Sequence, residues 1–546
     1  MPRSYSRHMD QSLVREVQAW IADDPDPITS SQLQEWLDTN NEAELKASFS
    51  GFLQFGTAGL RGPIRPGPSG MNRAVVGRTA AGIVSYMLER NLTSVVISRD
   101  ARYGSEDYTF ETAEIMSGAG MKVFVLPRPL PTPVLAFATN ELGCDVGIMV
   151  TASHNPPQDN GYKVYLGGTV DGIEYRGSQI ISPTDISIAQ KIDAITSLKA
   201  QPRGKVWSVL GEEIIEKYIS RTASLATQPG NLKIVYTAMH GVGTETLQRV
   251  FNKAGFLSPI LVDAQAAPDP DFPTVAFPNP EEPGAIDLAL ETAKTFDADL
   301  VIANDPDADR CAAAIKDPVT GWRMLKGDEL GALLGESIAR KGGSGIFANS
   351  IVSSSILRKI AMHYNFEFEE TLTGFKWLAK IKGLTFGYEE ALGYAVDAET
   401  VNDKDGISAA ITLAQIATDL AADGKTILDL LDEIWTRHGF HATEQISIRL
   451  TDLSKVGIIL GGLRTNPPQE IAGRLVTSID DLSAPTDGLP PTDGLRIWLD
   501  GGIRIIIRPS GTEAKMKCYI EVIEKDSNSA QVVLDQLRPP LKELLS

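Results

Sequence analysis

Cysteine is scarce in this chain. Its 546 residues include only three, Cys144, Cys311 and Cys518. They lie far apart and have no C-x-x-C spacing, so the sequence predicts neither a zinc site nor a disulfide framework. So few, widely spaced cysteines are typical of a protein in a reducing compartment, and we expect a cytoplasmic protein.

Long apolar runs and excess basic charge are also missing. No run approaches ~18 apolar residues, so we predict no membrane span, and the N-terminus lacks the apolar stretch of a signal peptide. Lys and Arg number 51 against 70 Asp and Glu, a net charge of −19. This charge disfavours nucleic acids and anionic membranes as partners. A phosphorylated ligand would therefore need a local basic cluster.

The apolar content of 42% is that of a globular protein. Single cores rarely grow beyond ~250–300 residues, so several domains are expected. Residues 1–50 resemble two amphipathic helices. Further on, apolar strand-type runs such as Ser94–Ser98 and Val146–Val150 alternate with helical patterns, and a later helix is predicted over Ser353–His363. This alternation predicts parallel sheets covered by helices, whose ligands bind beyond the carboxyl ends of strands.

A serine lies at one such strand end. Ser153 follows the strand-type run that ends at Val150, and Pro156-Pro157 stiffens the loop behind it. A serine hydroxyl needs a base, a metal or fixed positive charge to act as a nucleophile. No G-x-S-x-G elbow surrounds it, which argues against an α/β-hydrolase, whereas phosphoryl transfer depends mainly on positioning and charge neutralisation. A Pro-rich turn with a capping serine is the alternative interpretation.

Three aspartates follow a second strand-type run, Leu300–Ala303. They are Asp305, Asp307 and Asp309. Carboxylates this close repel one another unless a cation lies among them, and oxygen-only ligands suit a hard ion such as Mg²⁺. An EF-hand is excluded because Arg310 stands at the place of the turn glycine and Lys316 at that of the final glutamate. A solvated acidic loop stays open as an alternative.

Four further strings could bind phosphate or sugar, although each alone is a weak signal. They are F-G-T-A-G-L-R-G over 55–62, T-L-T-G-F-K-W over 371–377, G-Y-E-E-A-L-G over 387–393 and R-P-S-G-T-E-A-K over 508–515. Arg can bind phosphate with its planar fork, backbone amides form phosphate nests, and paired carboxylates accept hydrogen bonds from sugar hydroxyls. Ordinary turns, a solvated helix charge at Lys376 and acids at a helix N-terminus are the competing interpretations.

Taken together and in this order, the strings resemble the α-D-phosphohexomutase family, which comprises phosphoglucomutases and phosphomannomutases. T-A-S-H-N-P-P-x-x-N-G-x-K is similar to its phosphoserine loop and D-P-D-A-D-R to its metal loop. The resemblance covers the chain from about residue 50. It implies an α/β fold of four domains around a central cleft, three related α/β domains plus a smaller C-terminal α+β domain.

The resemblance also implies domain limits and the loop that each domain carries. We expect the phosphoserine loop in residues 1–205 and the metal loop in residues 206–325. The sugar-binding loop is expected in residues 326–437 and the phosphate-binding loop in residues 438–546.

Site residues follow from the same resemblance. The implied catalytic residues are Ser153, Arg61, His154 and Lys163. The implied ligands of Mg²⁺ are Ser153, Asp305, Asp307 and Asp309. The implied substrate-binding residues are Arg310, Thr373, Gly374, Lys376, Glu389, Glu390, Arg508, Ser510, Gly511, Thr512 and Lys515. Glucose 1,6-bisphosphate is expected as an activator.

The implied activity is that of a phosphoglucomutase, which interconverts glucose 1-phosphate and glucose 6-phosphate through a phosphoserine and a sugar 1,6-bisphosphate. The pair Phe375-Lys376 favours glucose phosphates. Ala391 stands where the family usually has serine, which leaves phosphopentomutase, phosphomannomutase and sugar-bisphosphate synthase open. A Mg²⁺-dependent sugar phosphatase is the alternative of another class, but it has less need of a second phosphate cradle at Arg508.

Overall fold

Helices and strands alternate along most of the chain. The computed structural model describes residues 9–450, 454–486, 488–509 and 515–545. Among these residues, no helix is both long enough and apolar enough to cross a membrane.

The chain divides into two compact units. The first unit consists of Met1–Met324 with Gly393–Thr418, and the second consists of Leu325–Leu392 with Asp419–Ser546. The first unit contains nearly all of the two predicted domains 1–205 and 206–325. The second unit contains the predicted domain 438–546 and most of the predicted domain 326–437. The predicted limits at residues 205, 325 and 437 stay predictions.

The first unit begins with three helices, where the sequence predicted two. They are α1 Gln11–Asp23, α2 Pro27–Asp38 and α3 Glu42–Ser48. Asp10 caps α1 by accepting from the backbone N–H of Ser12, and Asp26 caps α2 in the same way from Ile28. Their apolar faces form a small core of their own. The third helix has only two turns, too short to give a helical periodicity in the sequence.

The first large sheet surrounds the predicted serine loop. Its strands and the adjoining hairpin are β1 Leu60–Pro63, β2 Ser94–Arg99, β3 Lys122–Val125, β4 Val146–Val150, β5 Asp159–Leu166, β6 Thr169–Val170, β7 Ile173–Glu174, β8 Ser178–Gln179 and β9 Ser208–Val209. The helices are α4 Arg73–Glu89, α5 Ser105–Gly118, α6 Thr132–Glu141 and α7 Thr184–Asp193. The strand order is β1-β5-β4-β2-β3-β9, β8 also pairs with β5, and β6 pairs only with β7.

This sheet is mixed, although the sequence predicted a parallel one. β4, β2, β3 and β9 are parallel, whereas β5 is antiparallel to both β4 and β1. The connection 151–158 between β4 and β5 is too short for a parallel crossover, which needs a dozen residues or more. The chain therefore turns back after Ser153, and β5 brings Lys163 alongside β4.

The second sheet of the first unit carries the acidic loop. Its strands are β10 Ile234–Thr237, β11 Ile260–Leu261, β12 Leu300–Ala303, β13 Ala312–Asp317 and β14 Gly321–Met324, in the order β11-β10-β12-β13-β14. Its helices are α8 Glu213–Ala223, α9 Gly243–Lys253, α10 Asp263–Ala266 and α11 Asp287–Phe296. β11, β10 and β12 are parallel, and β13 returns antiparallel to β12. The aspartates lie in the tight turn between these last two strands.

The second unit begins with a parallel α/β arrangement. The elements are α12 Gly327–Arg340, β15 Ile346–Ser350, α13 Ile356–His363, β16 Glu367–Thr371, α14 Phe375–Leu378 and β17 Leu384–Glu389. β15 is parallel to both β16 and β17. The predicted helix over Ser353–His363 starts only at Ile356, because Ser353 accepts a hydrogen bond from the backbone N–H of Glu390 and lies in a turn.

Two long helices lead towards the C-terminal sheet. After β18 Gly393–Ala395 come α15 Gly406–Ala422, whose residues up to Thr418 belong to the first unit, and α16 Ile427–His438. The C-terminal elements are β19 Phe440–Arg449, α17 Ser454–Thr465, β20 Glu470–Ile471, β21 Arg474–Asp481, β22 Leu495–Leu499, the 3₁₀ turn Asp500–Gly502, β23 Ile503–Pro509, β24 Lys515–Glu524 and α18 Ser527–Leu544.

The C-terminal sheet is antiparallel throughout. Its order is β19-β24-β23-β22-β21-β20, and α18 packs against β19 and β24. Alternate isoleucines of β23 fill its core. The chain thus forms three α/β/α parts followed by a C-terminal sheet part. This arrangement confirms the fold class predicted from the sequence.

Candidate active site

Ser153 lies just beyond the carboxyl end of β4 and is 3% exposed. Its backbone φ is 52°, a left-handed value that is uncommon for residues other than glycine. The hydroxyl donates a 2.9 Å hydrogen bond to Asp305 Oδ2 and lies 3.2 Å from Nδ1 of His154. The structure therefore brings the predicted nucleophile against the acidic loop.

The three aspartates of that loop converge in a buried cluster. Asp305, Asp307 and Asp309 each contribute a carboxylate oxygen, and these oxygens lie within 4.8 Å of one another. Oδ1 of Asp307 and Oδ1 of Asp309 are buried and have no hydrogen-bond partner among the described residues. Buried oxygens are rarely left unpaired, and carboxylate oxygens are the ligands that Mg²⁺ prefers. The cluster therefore fits a hard divalent cation.

Two ammonium groups balance part of this negative charge. Lys163 Nζ donates to Asp307 Oδ2 at 2.7 Å and to Asp309 Oδ2 at 3.0 Å. Lys404 Nζ lies 3.2 Å from the same oxygen of Asp309. Thr132 also donates to Asp307 Oδ2, at 2.6 Å. The two lysines and the threonine therefore stabilise the buried carboxylates of Asp307 and Asp309.

The three carboxylates differ in how readily they lose a proton. Burial raises the pKa of Asp305 well above its usual value, and the charges of Asp307 and Asp309 add to this effect. Burial also opposes ionisation of Asp307, but the ammonium of Lys163 outweighs it and lowers the pKa. A cation among the carboxylates would relieve the repulsion that acts on Asp305.

The two predicted proton-transfer groups differ in charge. Burial, together with the positive charges of Arg310 and Arg61, lowers the pKa of His154 well below its usual value. Burial opposes protonation of Lys163, but the adjacent Asp307 and Asp309 outweigh it and raise its pKa. His154 is therefore neutral and Lys163 is an ammonium ion at neutral pH.

Arg61 reaches the serine loop from β1. Its Nη1 donates to Asn155 Oδ1 at 3.1 Å. β1 pairs with β5 in the register Arg61 with Gly161. Gly59, just before β1, has a φ of 75°, and a Cβ there would lie 1.8 Å from the carbonyl oxygen of Tyr162. This glycine is thus required for packing β1 onto β5, which positions Arg61.

The paired glutamates of the second unit lie at the carboxyl end of β17. Glu389 Oε1 accepts a 2.6 Å hydrogen bond from the backbone N–H of Gly374. Glu390 Oε2 accepts from the hydroxyls of Ser353 and Ser350 at 2.9 and 3.1 Å. Burial, reinforced by the charge of Glu389, raises the pKa of Glu390. The T-G-F-K-W loop and the predicted sugar-binding loop therefore meet at Glu389.

The residues of the T-G-F-K-W loop differ from one another in burial and in backbone conformation. Gly374 has a φ of 115°, which favours glycine, and Thr373 has a buried hydroxyl without a hydrogen-bond partner among the described residues. Lys376 is half-buried on α14, whereas Phe375 is a core residue, 4% exposed. Any preference for glucose through Phe375 must therefore act through packing of the loop.

The predicted phosphate loop is described only at its two ends. Arg508 Nη2 donates to the hydroxyl of Tyr519 at 3.3 Å, and its guanidinium lies 5.7 Å from the centroid of that ring. Lys515 begins β24 on the other side of the loop. Ser510, Gly511 and Thr512 lie outside the described residues.

Three stretches of the chain match one protein family. Residues 53–198 match "Phosphoglucomutase/phosphomannomutase, alpha/beta/alpha domain I", residues 215–321 match its domain II and residues 326–438 its domain III. The chain belongs to the phosphoglucomutase/phosphomannomutase family. The family predicted from the sequence is thereby confirmed.

Relatives within this phosphomutase family have different names. The chain is 47% identical to a "Probable phosphomannomutase" of Haemophilus influenzae, over 87% of this chain and 98% of the relative. It is 34% identical to the "Phosphopentomutase" of Mus musculus, over 100% and 95%. It is 31% identical to the "Phosphoglucomutase" of Staphylococcus haemolyticus, over 92% and 95%. The family therefore establishes a mutase-type enzyme but not the sugar.

A solved structure confirms the phosphomutase fold. The open form of the Paramecium phosphoglucomutase parafusin aligns with a TM-score of 0.69 at 19% identity, covering 91% of this chain and 95% of that chain.

Sequence reasoning missed several residues of this phosphomutase site. Lys404 and Thr132 contact the acidic cluster, and Arg102 donates to backbone carbonyls of the serine loop. Arg102 could have been found, because it follows β2, the parallel neighbour of β4, and so lies at the same edge as Ser153. Lys404 could not, because only the fold brings residues 403–405 to the acidic cluster.

Proposed function

We propose that this chain is a phosphoglucomutase, which interconverts glucose 1-phosphate and glucose 6-phosphate through phosphorylated Ser153. The observation that carries the proposal is the 2.9 Å hydrogen bond from Ser153 Oγ to Asp305, inside a buried carboxylate cluster that Lys163 partly neutralises. A serine in a purely structural turn needs no such cluster.

The reaction consists of two phosphoryl transfers. First, the free hydroxyl of the sugar monophosphate attacks the phosphorus of phosphorylated Ser153; the bond from phosphorus to Oγ breaks, and the sugar bisphosphate forms. The hydroxyl proton passes to a base, and Oγ regains a proton. After the bisphosphate has reoriented, Oγ gives up its proton and attacks the phosphorus of the other phosphate; the bond from that phosphorus to the sugar oxygen breaks, the sugar oxygen takes up a proton, and the phosphoserine is restored. His154 and Lys163 are the candidates for moving the proton, and His154 Nδ1 is 3.2 Å from Oγ.

We propose that the three aspartates and a phosphate oxygen on Ser153 hold Mg²⁺. When bound, this ion supplies positive charge to the transferring phosphoryl group. The chain's own cations act on the same group: Arg61 approaches the loop at Asn155, and Lys163 orients Asp307 and Asp309. Arg310, whose backbone N–H donates to Asp305 Oδ1 at 3.0 Å, is proposed to bind substrate phosphate.

The remaining substrate contacts are proposed on residues of the second unit. Glu389 and Glu390 are proposed to accept hydrogen bonds from sugar hydroxyls, and the T-G-F-K loop is proposed to bind beside them because Gly374 already contacts Glu389. The proposed contacts of the phosphate that does not react are Arg508, Ser510, Gly511, Thr512 and Lys515. Thr373, Gly374 and Lys376 complete the proposed substrate-binding set. Glucose 1,6-bisphosphate would act as activator because it can phosphorylate Ser153.

Pentose and mannose phosphates are the second candidates. The relative at 47% identity is named a phosphomannomutase and the one at 34% a phosphopentomutase. Ala391, next to Glu390, replaces the serine that is usual in the family and so removes a possible hydroxyl contact.

The test is a panel of substrates with Mg²⁺ and a trace of the matching bisphosphate. We expect conversion of glucose 1-phosphate to exceed that of mannose 1-phosphate and ribose 1-phosphate, and Ser153→Ala to abolish it. Faster conversion of ribose 1-phosphate would assign the chain to the pentose branch. Sustained release of inorganic phosphate would instead indicate the sugar phosphatase.

We also propose that the protein works in the cytoplasm. All three cysteines are buried and unpaired, as expected for a reducing compartment. Cell fractionation with an antibody to the chain would test this proposal.

A further inference from the structure

A single buried guanidinium lies beneath the serine loop. Arg102 Nη2 donates to the backbone carbonyls of Ser153 and Asn155, both at 2.6 Å. Its Nη1 donates to the carbonyls of Pro156 and Asp159, at 2.8 and 3.1 Å. Four carbonyl oxygens of one short loop therefore converge on one side chain.

Such convergence needs a cation. Carbonyl oxygens carry partial negative charge and repel one another when they point at one place, and the planar guanidinium offers donors fixed in a fork. The side chain of Arg102 is 1% exposed, so water cannot replace it. The bonded carbonyls span both sides of Pro156 and include that of Ser153, whose left-handed φ is unfavourable for a serine. Arg102 thus binds the part of the loop that contains Pro156 and the left-handed backbone of Ser153.

Arg102 is itself held in place. Its Nε lies 3.3 Å from Asp100 Oδ2, and its backbone N–H donates to Asp100 Oδ1 at 3.0 Å. The Ser105 hydroxyl donates to the same Asp100 oxygen at 2.6 Å. The ring of Phe272 lies 4.8 Å from the guanidinium carbon, a cation–π contact. The ion pair with Asp100, which Ser105 holds in place, and the ring of Phe272 therefore fix the guanidinium before any ligand binds.

We propose that Arg102 is the positioning residue of the serine loop: it maintains the backbone conformation that directs Ser153 Oγ towards Asp305. Among the described residues, the hydrogen bonds and close contacts of the guanidinium are to the loop backbone, Asp100 and Phe272. It therefore acts on Oγ through the loop. The expected effect of Arg102 on turnover rests on the proposed function. The expected effect of Arg102 on the loop conformation does not depend on which reaction is catalysed.

The test compares Arg102→Lys with Arg99→Lys in the full-length protein. Lysine keeps the charge but cannot bond four carbonyls in one plane. Arg99 is a matched control, because it ends β2, is 9% exposed against 5% for Arg102, and binds the side chain of Glu106 at 3.2 Å. Hydrogen exchange of the loop amides reports on the loop directly, since the N–H groups of Asn155 and Asp159 are bonded within it.

For Arg102→Lys we expect faster exchange confined to residues 151–161, and a kcat about 100-fold lower with KM changed far less, because small misplacement of a reacting group costs about this much. Arg99→Lys should change neither. If Arg102→Lys does not fold, Asp100→Asn provides the same readouts, with a smaller effect.

Loop exchange and kcat unchanged in the folded variant would overturn the proposal, and so would faster exchange spread evenly over the protein. A wild-type protein without mutase activity would instead refute the proposed function, and loop exchange would still decide the role of Arg102.

Discussion

Lys404 and Lys163 share one oxygen of Asp309. Their ammonium groups lie 3.2 and 3.0 Å from Oδ2, whereas Oδ1 has no hydrogen-bond partner among the described residues. The two ammonium groups thus neutralise the carboxylate at Oδ2, whereas Arg310 Nε lies 3.9 Å from Oδ1, too far for a hydrogen bond. This asymmetry suits a metal ligand, because the second oxygen remains for a cation.

We predict that Lys404→Met strengthens binding of Mg²⁺ by about tenfold, since a positive charge close to the cation site is removed. Isothermal titration with Mg²⁺ measures this directly. Lys425→Met is the control, because Lys425 is ion-paired to Glu433 away from the cluster and should leave Mg²⁺ affinity unchanged. Weaker binding in Lys404→Met would mean that Lys404 orients Asp309 rather than competing with the ion.

Asp305→Asn should impair the metal site and the serine together. The substitution removes the carboxylate that accepts from Ser153 Oγ and that is one of the three candidate metal ligands. We expect weaker Mg²⁺ binding by titration and a kcat about 100- to 1000-fold lower, the usual cost of removing one group that stabilises developing charge. Asp297→Asn, at an exposed position, should retain both. Turnover of the wild-type protein that persists after chelation would contradict a role for Mg²⁺.

We expect a buried ion pair in the second unit to make the stability of that unit depend on pH in the acid range. Glu521 Oε2 lies 2.9 Å from Arg504, and Oε1 accepts from the Ser354 hydroxyl at 2.7 Å. Burial opposes ionisation, but Arg504 and His441 lower the pKa of Glu521 to about 2, from 4.5. The stability it contributes is therefore present above pH 4.5 and is lost as the pH falls towards 2.

We predict that Glu521→Gln lowers the free energy of unfolding by about 3 kcal/mol at pH 7, because Arg504 loses its buried partner and keeps only the longer contact with the more exposed Glu370, at 3.4 Å, as an ion pair among the described residues. The difference from wild type should shrink as the pH falls below 4.5. Urea denaturation at pH 7 and pH 3 checks both statements. Glu524→Gln, on the same strand, should have no comparable effect, and a deficit equal at both pH values would count against the ion pair as its source.

Gly59→Ala should destabilise the first unit. The added Cβ would lie 1.8 Å from the Tyr162 carbonyl oxygen, and the φ of 75° is unfavourable for alanine. We expect a loss of about 2–3 kcal/mol, from overpacking together with backbone strain. Gly56→Ala is the control in the same loop, because a Cβ there meets nothing within 4 Å. Thermal unfolding compares the two variants, and equal midpoints would show that β1 can shift.

Much of this site could be predicted from sequence because its chemistry lies in short, ordered strings. Ser153 and the three aspartates each follow an apolar run that became a buried strand, β4 or β12. The antiparallel return of β5 was also accessible, since the 151–158 connection is too short for a crossover. The sequence predicted two N-terminal helices instead of three, because α3 is too short for periodicity to show.

The sequence alone determined the family, the strand ends and the residue types that make the chemistry, because those depend on local patterns and motif order. Only the tertiary structure decided which distant cations meet them. Lys404 reaches Asp309 because β18 and the segment after it pack against the acidic loop, through the bridge between Gly393 and Arg310 and the hydrogen bond from the Gly406 N–H to the Ala308 carbonyl. That contact depends on how separate segments of the chain pack, and no spacing along the chain encodes it.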